Sequence, residues 1–273
     1  MRIGLITDKP GHPLLSAAAG LLRDAGHGVE LLDPGSVGEA AAGVPADVYL
    51  LKAHTPHGLE LARRLERRGA PVMNSAAATT LCQDRTLMAE LAVRAGLPFA
   101  GTRTVGTLAR WAAGFRLDSP VVVKSRHSRR EDLVTRVDDT AYLRELADLW
   151  PDEPVVVQEF ARNSGWDHKL WAIGDRVFAA LRRSELSPEG LGPTLPLPRL
   201  PSEWADLTRR VGEVYSLDVY GVDIIATADG SPLIVDVNAF PGIREQPGAP
   251  EALAELALRR AKGGSASAGS GNR

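Results

Sequence analysis

The sequence predicts an α/β and α+β chain: a parallel sheet covered by helices, then two smaller α+β units built around antiparallel hairpins. Three observations predict it. Over residues 1–78 short apolar runs alternate with amphipathic stretches, the pattern of successive βα units. Farther on, the apolar runs PVVVKSR and PVVVQEF flank a basic turn and a helical stretch. Asp229-Gly230 sits between two apolar, β-branched runs and Gly174-Asp175 is a plausible two-residue turn in DHKLWAIGDRVFAALRRS, the pairs that tight hairpins use.

Taken in order, RIGLIT (2–7) reads as a buried strand and LLSAAAGLLRDAG as a helix closed by Gly26 and Gly28. VELLD, ADVYLLKA and APVMN supply further strands, with the helix LELARRLERRG before the last, as a helix-covered parallel sheet requires. The glycine-rich dinucleotide fingerprint is missing after the first strand, so Asp33 is not expected to bind the ribose of a nicotinamide cofactor. Open α/β sheets bind ligands beyond the carboxyl ends of their strands. Lys9 and His12 follow the first strand there, and Lys52, His54 and His57 follow the third. Each alone is ordinarily a solvated loop residue; two lysines on neighbouring strand ends suit an anionic substrate.

Residues 75–96 read as one helix ending at Gly96, before the extended LPFAGT. The next unit has a helix around Trp111, the strand PVVVKSR ending in Lys124, a basic turn, a helix over 140–150 and the strand PVVVQEF. A strand-end lysine either snorkels to water or meets an anion. In the hairpin DHKLWAIGDRVFAALRRS a two-residue turn sets Lys169 opposite Ala180 and Asp167 opposite Arg182. Leu170, Ala172, Val177, Ala179 and Leu181 then share the core side, and Arg183 with them, so Arg182 is expected at the polar face unless a bulge reverses the choice. The Pro- and Gly-rich stretch 185–201 is either a flap or a linker. Ser202 is expected to cap the helix EWADLTRRVGEVYSL, APEALAELALRRAK to form a last surface helix, and the low-complexity tail 264–273 to be disordered.

The stretch 220–242, YGVDIIATADGSPLIVDVNAFPG, carries the chemistry. With Asp229-Gly230 as a two-residue turn, Asp223 faces Asp236 and Gly221 faces Asn238. Like charges directly opposite repel, and these acids interrupt otherwise buried runs, which a merely solvated hairpin does not explain. Two carboxylates and an amide oxygen beside a residue lacking a side chain suit a hard cation such as Mg²⁺, which shares its ligands with phosphates.

Composition narrows the class. The 273 residues are 44% hydrophobic and 24% charged with a formal net charge of −2, an ordinary globular balance without a polyanion-binding footprint, so neither nucleic acid nor a membrane is the expected partner. The one cysteine, Cys82, excludes an intrachain disulfide and cysteine zinc cages and suits a reducing cytoplasm. The strand-like start MRIGLITDKPGHP does not read as a signal peptide.

The order of Lys at a strand end, VVVQEF, a hairpin bearing Lys and Arg, then GVDII and VDVNAFPG resembles the ATP-grasp superfamily over roughly residues 1–260. The resemblance implies an N-terminal Rossmann-like parallel sheet and two α+β subdomains clamping ATP. Its divisions fall at 1–78 (substrate unit), 79–160 (central unit) and 161–263 (C-terminal unit with the metal hairpin), before the tail 264–273. It implies that Arg85 approaches the phosphates, that Lys124 is the main phosphate-binding lysine, and that Gln158, Glu159, Phe160 and Ala161 border the adenine. Asp167 and Lys169 would line the nucleotide pocket, and Arg182 would face the transferred phosphoryl group. Asp223, Asp236 and Asn238 would hold Mg²⁺, or Mn²⁺ in its place. Homo-oligomers are common in the superfamily. Where its members carry a glycine-rich loop, this chain has SRHSRREDLV, so Arg126, His127, Arg129 and Arg130 either close over phosphates with side chains or form an exposed basic turn.

Within the superfamily, VVVQEFARNSGWDHKLW and VFAALRR are similar to the RimK-type glutamate ligases. That likeness implies a carboxylate activated by ATP as an acyl phosphate and attacked by an amine, on a small-molecule or peptide substrate. The alternative is a kinase similar to the inositol trisphosphate/tetrakisphosphate kinases. It is favoured by Asp236 where many ligases carry Glu, by Lys9 and Lys52 as phosphate contacts, and loosely by His127.

Overall fold

The computed structural model describes residues 1–36, 46–187, 192–197, 199–243 and 246–268. β1 (Arg2–Ile6), α1 (Pro13–Asp24), β2 (Gly28–Leu32), β3 (Val48–Leu51), α2 (Pro56–Arg67) and β4 (Val72–Met73) follow the expected alternation. Their strands make a parallel sheet of order β2-β1-β3-β4. This topology sets the carboxyl ends of β1 and β3 side by side.

The single helix expected over 75–96 is two, α3 (Ala76–Gln83) and α4 (Arg85–Arg94). Asp84 between them is extended, at φ −104° and ψ 103°, and its carboxylate accepts from the backbone N–H groups of Thr86 and Leu87. An aspartate inside an apolar-periodic stretch thus acts as an N-cap and restarts the helix.

The central unit follows with β5 (Thr102–Thr107), α5 (Leu108–Gly114), β6 (Val121–Ser125), β7 (Val134–Val137), α6 (Thr140–Leu149) and β8 (Pro154–Glu159), its strands antiparallel in the order β5-β8-β6-β7. β5 and β7 were not expected from sequence. TRTVGT and VTRV are short and polar, and they are strands because β8 and β6 supply their partners.

β9 (Trp166–Ile173), β10 (Arg176–Arg183), β11 (Thr194–Pro196), α7 (Ser202–Tyr215), β12 (Val219–Ala226) and β13 (Pro232–Ala239) build a third sheet of order β11-β10-β9-β12-β13. β11 lies in the stretch read as flap or linker, of which 188–191 and 198 are outside the described residues. α7 begins one residue earlier than expected: Pro201 is its N-cap, and the Ser202 side chain makes no capping bond.

The β9–β10 register is the expected one, with Lys169 opposite Ala180 and Asp167 opposite Arg182. The β12–β13 hairpin reaches its register by another route. Gly221 faces Asn238 and Asp223 faces Asp236, yet the turn has three residues: Thr227 N–H donates to Ser231, Gly230 N–H donates to Thr227, and Gly230 sits at φ +83°. A β-bulge cancels the extra residue, since Asp223 pairs with Asp236 but Ile224 pairs with Ile234, which leaves Val235 out of the ladder.

The last helix, α8 (Ala249–Ala268), has the exposed face expected of a surface helix, with Glu251, Glu255, Arg259 and Lys262 in solvent, and its other face is deeply packed. Ala252, Leu253, Leu256, Ala257 and Ala261 are buried in one core with Ile3, Leu5 and Leu14 of the first unit and Ile173, Val219 and Phe240 of the third sheet. Its apolar positions are mostly alanine, whose small size hides how closely the helix docks. α8 also extends past 263 into the stretch read as a disordered tail, because adding turns to a formed helix costs little; residues 269–273 lie outside the described residues. Asn74 joins the first and third sheets: its Nδ2 donates to Val219 O at 2.6 Å, and its Oδ1 accepts from Asp218 N at 2.7 Å and Val219 N at 3.0 Å.

Candidate functional site: a cleft between two antiparallel sheets

The central and third sheets face each other across a cleft of about 310 Å³, in the size range of small-molecule sites. Arg85, Lys124, Gln158, Glu159, Phe160, Ala161, Asp167, Lys169, Arg182, Asp223, Asp236 and Asn238 all line it. Alternation explains much of this convergence. Asp167 and Lys169 share one face of β9, Arg182 lies opposite on β10, and Asp223, Asp236 and Asn238 share the same side of β12 and β13.

Charges in the cleft are paired across elements. Lys169 Nζ lies 2.8 Å from Asp223 and 3.3 Å from Asp167. Burial would lower its pKa, but Asp223 and Asp167 outweigh it and hold the ammonium above its ordinary value. Arg85, the first residue of α4, donates to Ser125 O at 2.8 Å, to Asp132 at 2.6 Å and to Asp236 at 3.4 Å. Burial opposes ionisation of Asp236, yet Arg85 and Lys124 hold its carboxyl below the usual range. Lys124 is 5% exposed and donates to Val235 O at 2.7 Å. Burial, only partly opposed by Asp236, pushes its pKa down to about 8. Arg182 pairs with Glu185 at 2.9 Å while its buried Nε has no partner. Arg183 instead stacks over the Trp166 ring at 5.3 Å.

Asp223, Asp236 and Asn238 offer only oxygen ligands, a set that fits a hard cation sharing phosphate oxygens. No group of three or more His, Cys, Asp or Glu able to hold a metal occurs among the described residues, and the Asp223, Asp236 and Asn238 set has two carboxylates and one amide only. Gly221 does not open a seat beside it, as the sequence had implied. A Cβ there would stand 3.1 Å from Pro241 and 3.2 Å from Trp171, so the missing side chain admits those rings.

Three predicted residues stand elsewhere. His127 is exposed, with its backbone bridged to Asp84; Lys9 and Lys52 follow the ends of β1 and β3. The basic turn is largely exposed, the second of the two expectations, and its arginines are held by acids. Arg126 clamps Asp84 at 2.7 Å and Arg129 clamps Glu153 in two bonds of 2.7 and 2.8 Å, while Arg130 meets Glu131 at the surface. Arg126 and Arg129 are tied to acids that the sequence places far away. Asp132, Ser128, Asn163 and Glu185 also line the cleft and were missed. An acid within a basic turn was the one available signal for Asp132.

A model of the RimK-like ATP-grasp domain matches residues 104–248, more than half of the chain. The chain belongs to the RimK-like ATP-grasp family. A probable alpha-L-glutamate ligase of Nitrosococcus oceani is 27% identical over 223 residues, covering 76% of this chain and 72% of that protein. The ribosomal protein bS6–L-glutamate ligase of Salmonella paratyphi B is 25% identical over 247 residues, 80% of this chain and 81% of that one. Among solved structures, the RimK domain ATP-grasp protein of Sphaerobacter thermophilus superposes with a TM-score of 0.74 at 23% identity, covering 94% of this chain and 99% of that one. The ATP-grasp ligase PsnB with a minimal precursor gives 0.70 at 18% identity, covering 95% of this chain and 98% of that one. The fold is therefore ATP-grasp, and the chain is an enzyme of the ATP-grasp ligase kind, forming ADP and phosphate.

Proposed function

We propose that this RimK-like enzyme joins a carboxylate to an amine through an acyl phosphate, with Mg²⁺-ATP bound in the cleft between the central and third sheets. The observation that carries the proposal is the convergence of Lys124, Arg182 and Arg85 with Asp223, Asp236 and Asn238 on one cleft. Phosphoryl transfer needs positioning and charge neutralisation more than covalent help from the protein.

In this reading Gln158, Glu159, Phe160 and Ala161 border the base. Lys124 and Arg85 hold the phosphates. Arg182 faces the phosphoryl group in transfer, and Lys169 is fixed beside it by Asp167 and Asp223. Asp223, Asp236 and Asn238 would hold the metal, whose chemistry is to neutralise charge on the phosphates. The carboxylate oxygen attacks the γ-phosphorus and ADP leaves; the amine nitrogen then attacks the acyl carbon and phosphate leaves, giving an amide.

The family match and the glutamate-ligase names of relatives support ligation over the kinase alternative. An acceptor that is a small molecule or a peptide belongs to the same proposal, as do the divisions at 1–78, 79–160 and 161–263. A cytoplasmic location rests on the single, buried, unpaired Cys82. No described helix is long and apolar enough to cross a membrane.

The test is phosphate accounting with Mg²⁺-ATP, pooled amino acids and small carboxylates, and separately pooled inositol phosphates. ADP matched by free phosphate only when acid and amine are both present supports the ligase. ADP without free phosphate, with label moved to a polyol, would establish the kinase instead.

A further inference from the structure

Lys9 and Lys52 stand apart from Arg85, Lys169 and Arg182 in the cleft, which have carboxylate partners. β1 and β3 pair in parallel, and Lys52 N–H donates to Ile6 O at 2.9 Å, so the two lysines leave adjacent strand ends. No carboxylate among the described residues lies within ion-pair distance of either. Burial first, and then the charge on Lys9, push the Lys52 pKa down to about 8; Asp8 opposes them in part. His54 lies beside them. Burial and the Lys52 charge push it down to about 4, and its Nε2 is buried without a hydrogen-bond partner. The partly buried Lys52 thus feels the charge of the exposed Lys9 with only Asp8 in partial compensation, a cost that a bound anion recovers.

The cluster also adjoins the segment that follows Asn238. The His54 ring meets the backbone carbonyl of Ala239, the residue after Asn238. His12 stands 3.7 Å from the Cβ position of Gly242, three residues farther along. The NAFPG segment therefore has Asn238 facing the cleft at one end and the basic cluster at the other.

We propose that Lys9 and Lys52, with His54 beside them, bind a second, non-reacting carboxylate of the acid substrate, which makes that substrate a dicarboxylate. The inference rests on the ligase reading. One carboxylate is held by the two lysines, and the other is presented toward Asn238 and Arg182 for phosphorylation.

Calorimetric titration of the full chain with Mg²⁺-ADP present tests this, using succinate, glutarate and adipate against butyrate and inorganic phosphate. At least one dicarboxylate is expected to bind about tenfold or more tighter than butyrate. Lys9→Ala and Lys52→Gln are each expected to weaken it by about tenfold while leaving ADP affinity unchanged, which also reports an intact fold. Equal binding of dicarboxylates and butyrate overturns the proposal, and so does dicarboxylate binding that survives both substitutions. Phosphate bound in a lysine-dependent way without any dicarboxylate would assign the cluster to a phosphorylated ligand and overturn it too. Failure of the wild type to bind ADP would instead strike the nucleotide reading, and lysine-dependent dicarboxylate binding would still support the subsite.

Discussion

Lys124 Nζ donates to the carbonyl of Val235 at 2.7 Å, and Val235 is the residue that the β-bulge removes from the β12–β13 ladder. The bulge thus has two effects. It restores the register that puts Asp236 and Asn238 on the cleft face, and it offers a carbonyl to the opposing sheet. Gln158 Nε2 approaches the same oxygen at 3.4 Å.

Lys124→Ala removes a buried cation from the cleft floor. A charge-assisted hydrogen bond contributes about 1.5–3 kcal/mol, so Mg²⁺-ADP affinity is expected to fall by about tenfold to a hundredfold. Calorimetry measures it, and unchanged ADP affinity would remove Lys124 from the nucleotide site.

Deleting Val235 removes the bulge and leaves the three-residue turn in place, so Ile234 still pairs with Ile224 and Asp236 with Asp223 in one uninterrupted ladder. Asp236 and Asn238 keep the cleft face, and the carbonyl that accepts from Lys124 is taken away. A fall of about tenfold in Mg²⁺-ADP affinity and a loss of about 1–3 kcal/mol in urea-measured stability are expected. A deletion variant with wild-type values would show that the Val235 carbonyl does not position Lys124.

Asp132→Asn breaks the closest contact of the Arg85 side chain, the ion pair of 2.6 Å. Arg85 keeps Ser125 O and Asp236, so the guanidinium is loosened rather than abandoned. A fall of about tenfold in kcat/KM for ATP is expected, with about 1–3 kcal/mol lost from stability. Steady-state kinetics on the purified variant decide it. Wild-type values would mean that Asp132 does not position Arg85.

His54 makes stability depend on acid. Unfolded, it takes its proton near pH 6.5; folded, burial and Lys52, with Lys9 in support and Asp8 and the Ala239 carbonyl opposed, delay protonation to about 4. Between those values the unfolded chain holds more protons, so this contribution is complete above pH 6.5 and is lost as pH falls toward 4. It amounts to no more than about 3 kcal/mol. Urea midpoints at pH 7.5 and 4.5 should differ less in His54→Gln than in the wild type, and equal differences would refute the assignment.

Much of the site was legible because strand alternation is local. A run such as DHKLWAIGDRVFAALRR places Asp167, Lys169 and Arg182 on one face through the pleat and its turn alone. The Asp223–Asp236 facing also followed from the sequence, though the two-residue turn assumed for it was wrong; the extra turn residue and the Val235 bulge offset each other. Bulges depend on what the neighbouring sheet offers, and here Lys124 meets the freed carbonyl.

Long-range partners decided the rest. Asp84 restarts a helix and aims Arg85 into the cleft, where Asp132 and Asp236 hold it. Arg126 and Arg129 lie in the basic turn at the surface and clamp Asp84 and Glu153. α8 docks on the N-terminal sheet because its alanine-rich faces fit a surface assembled from chain more than two hundred residues earlier. The amino-acid order carried the periodicities and so the local faces of each strand. Which faces meet, and which charges find partners, depended on packing between segments distant in the chain, and no local pattern encodes that.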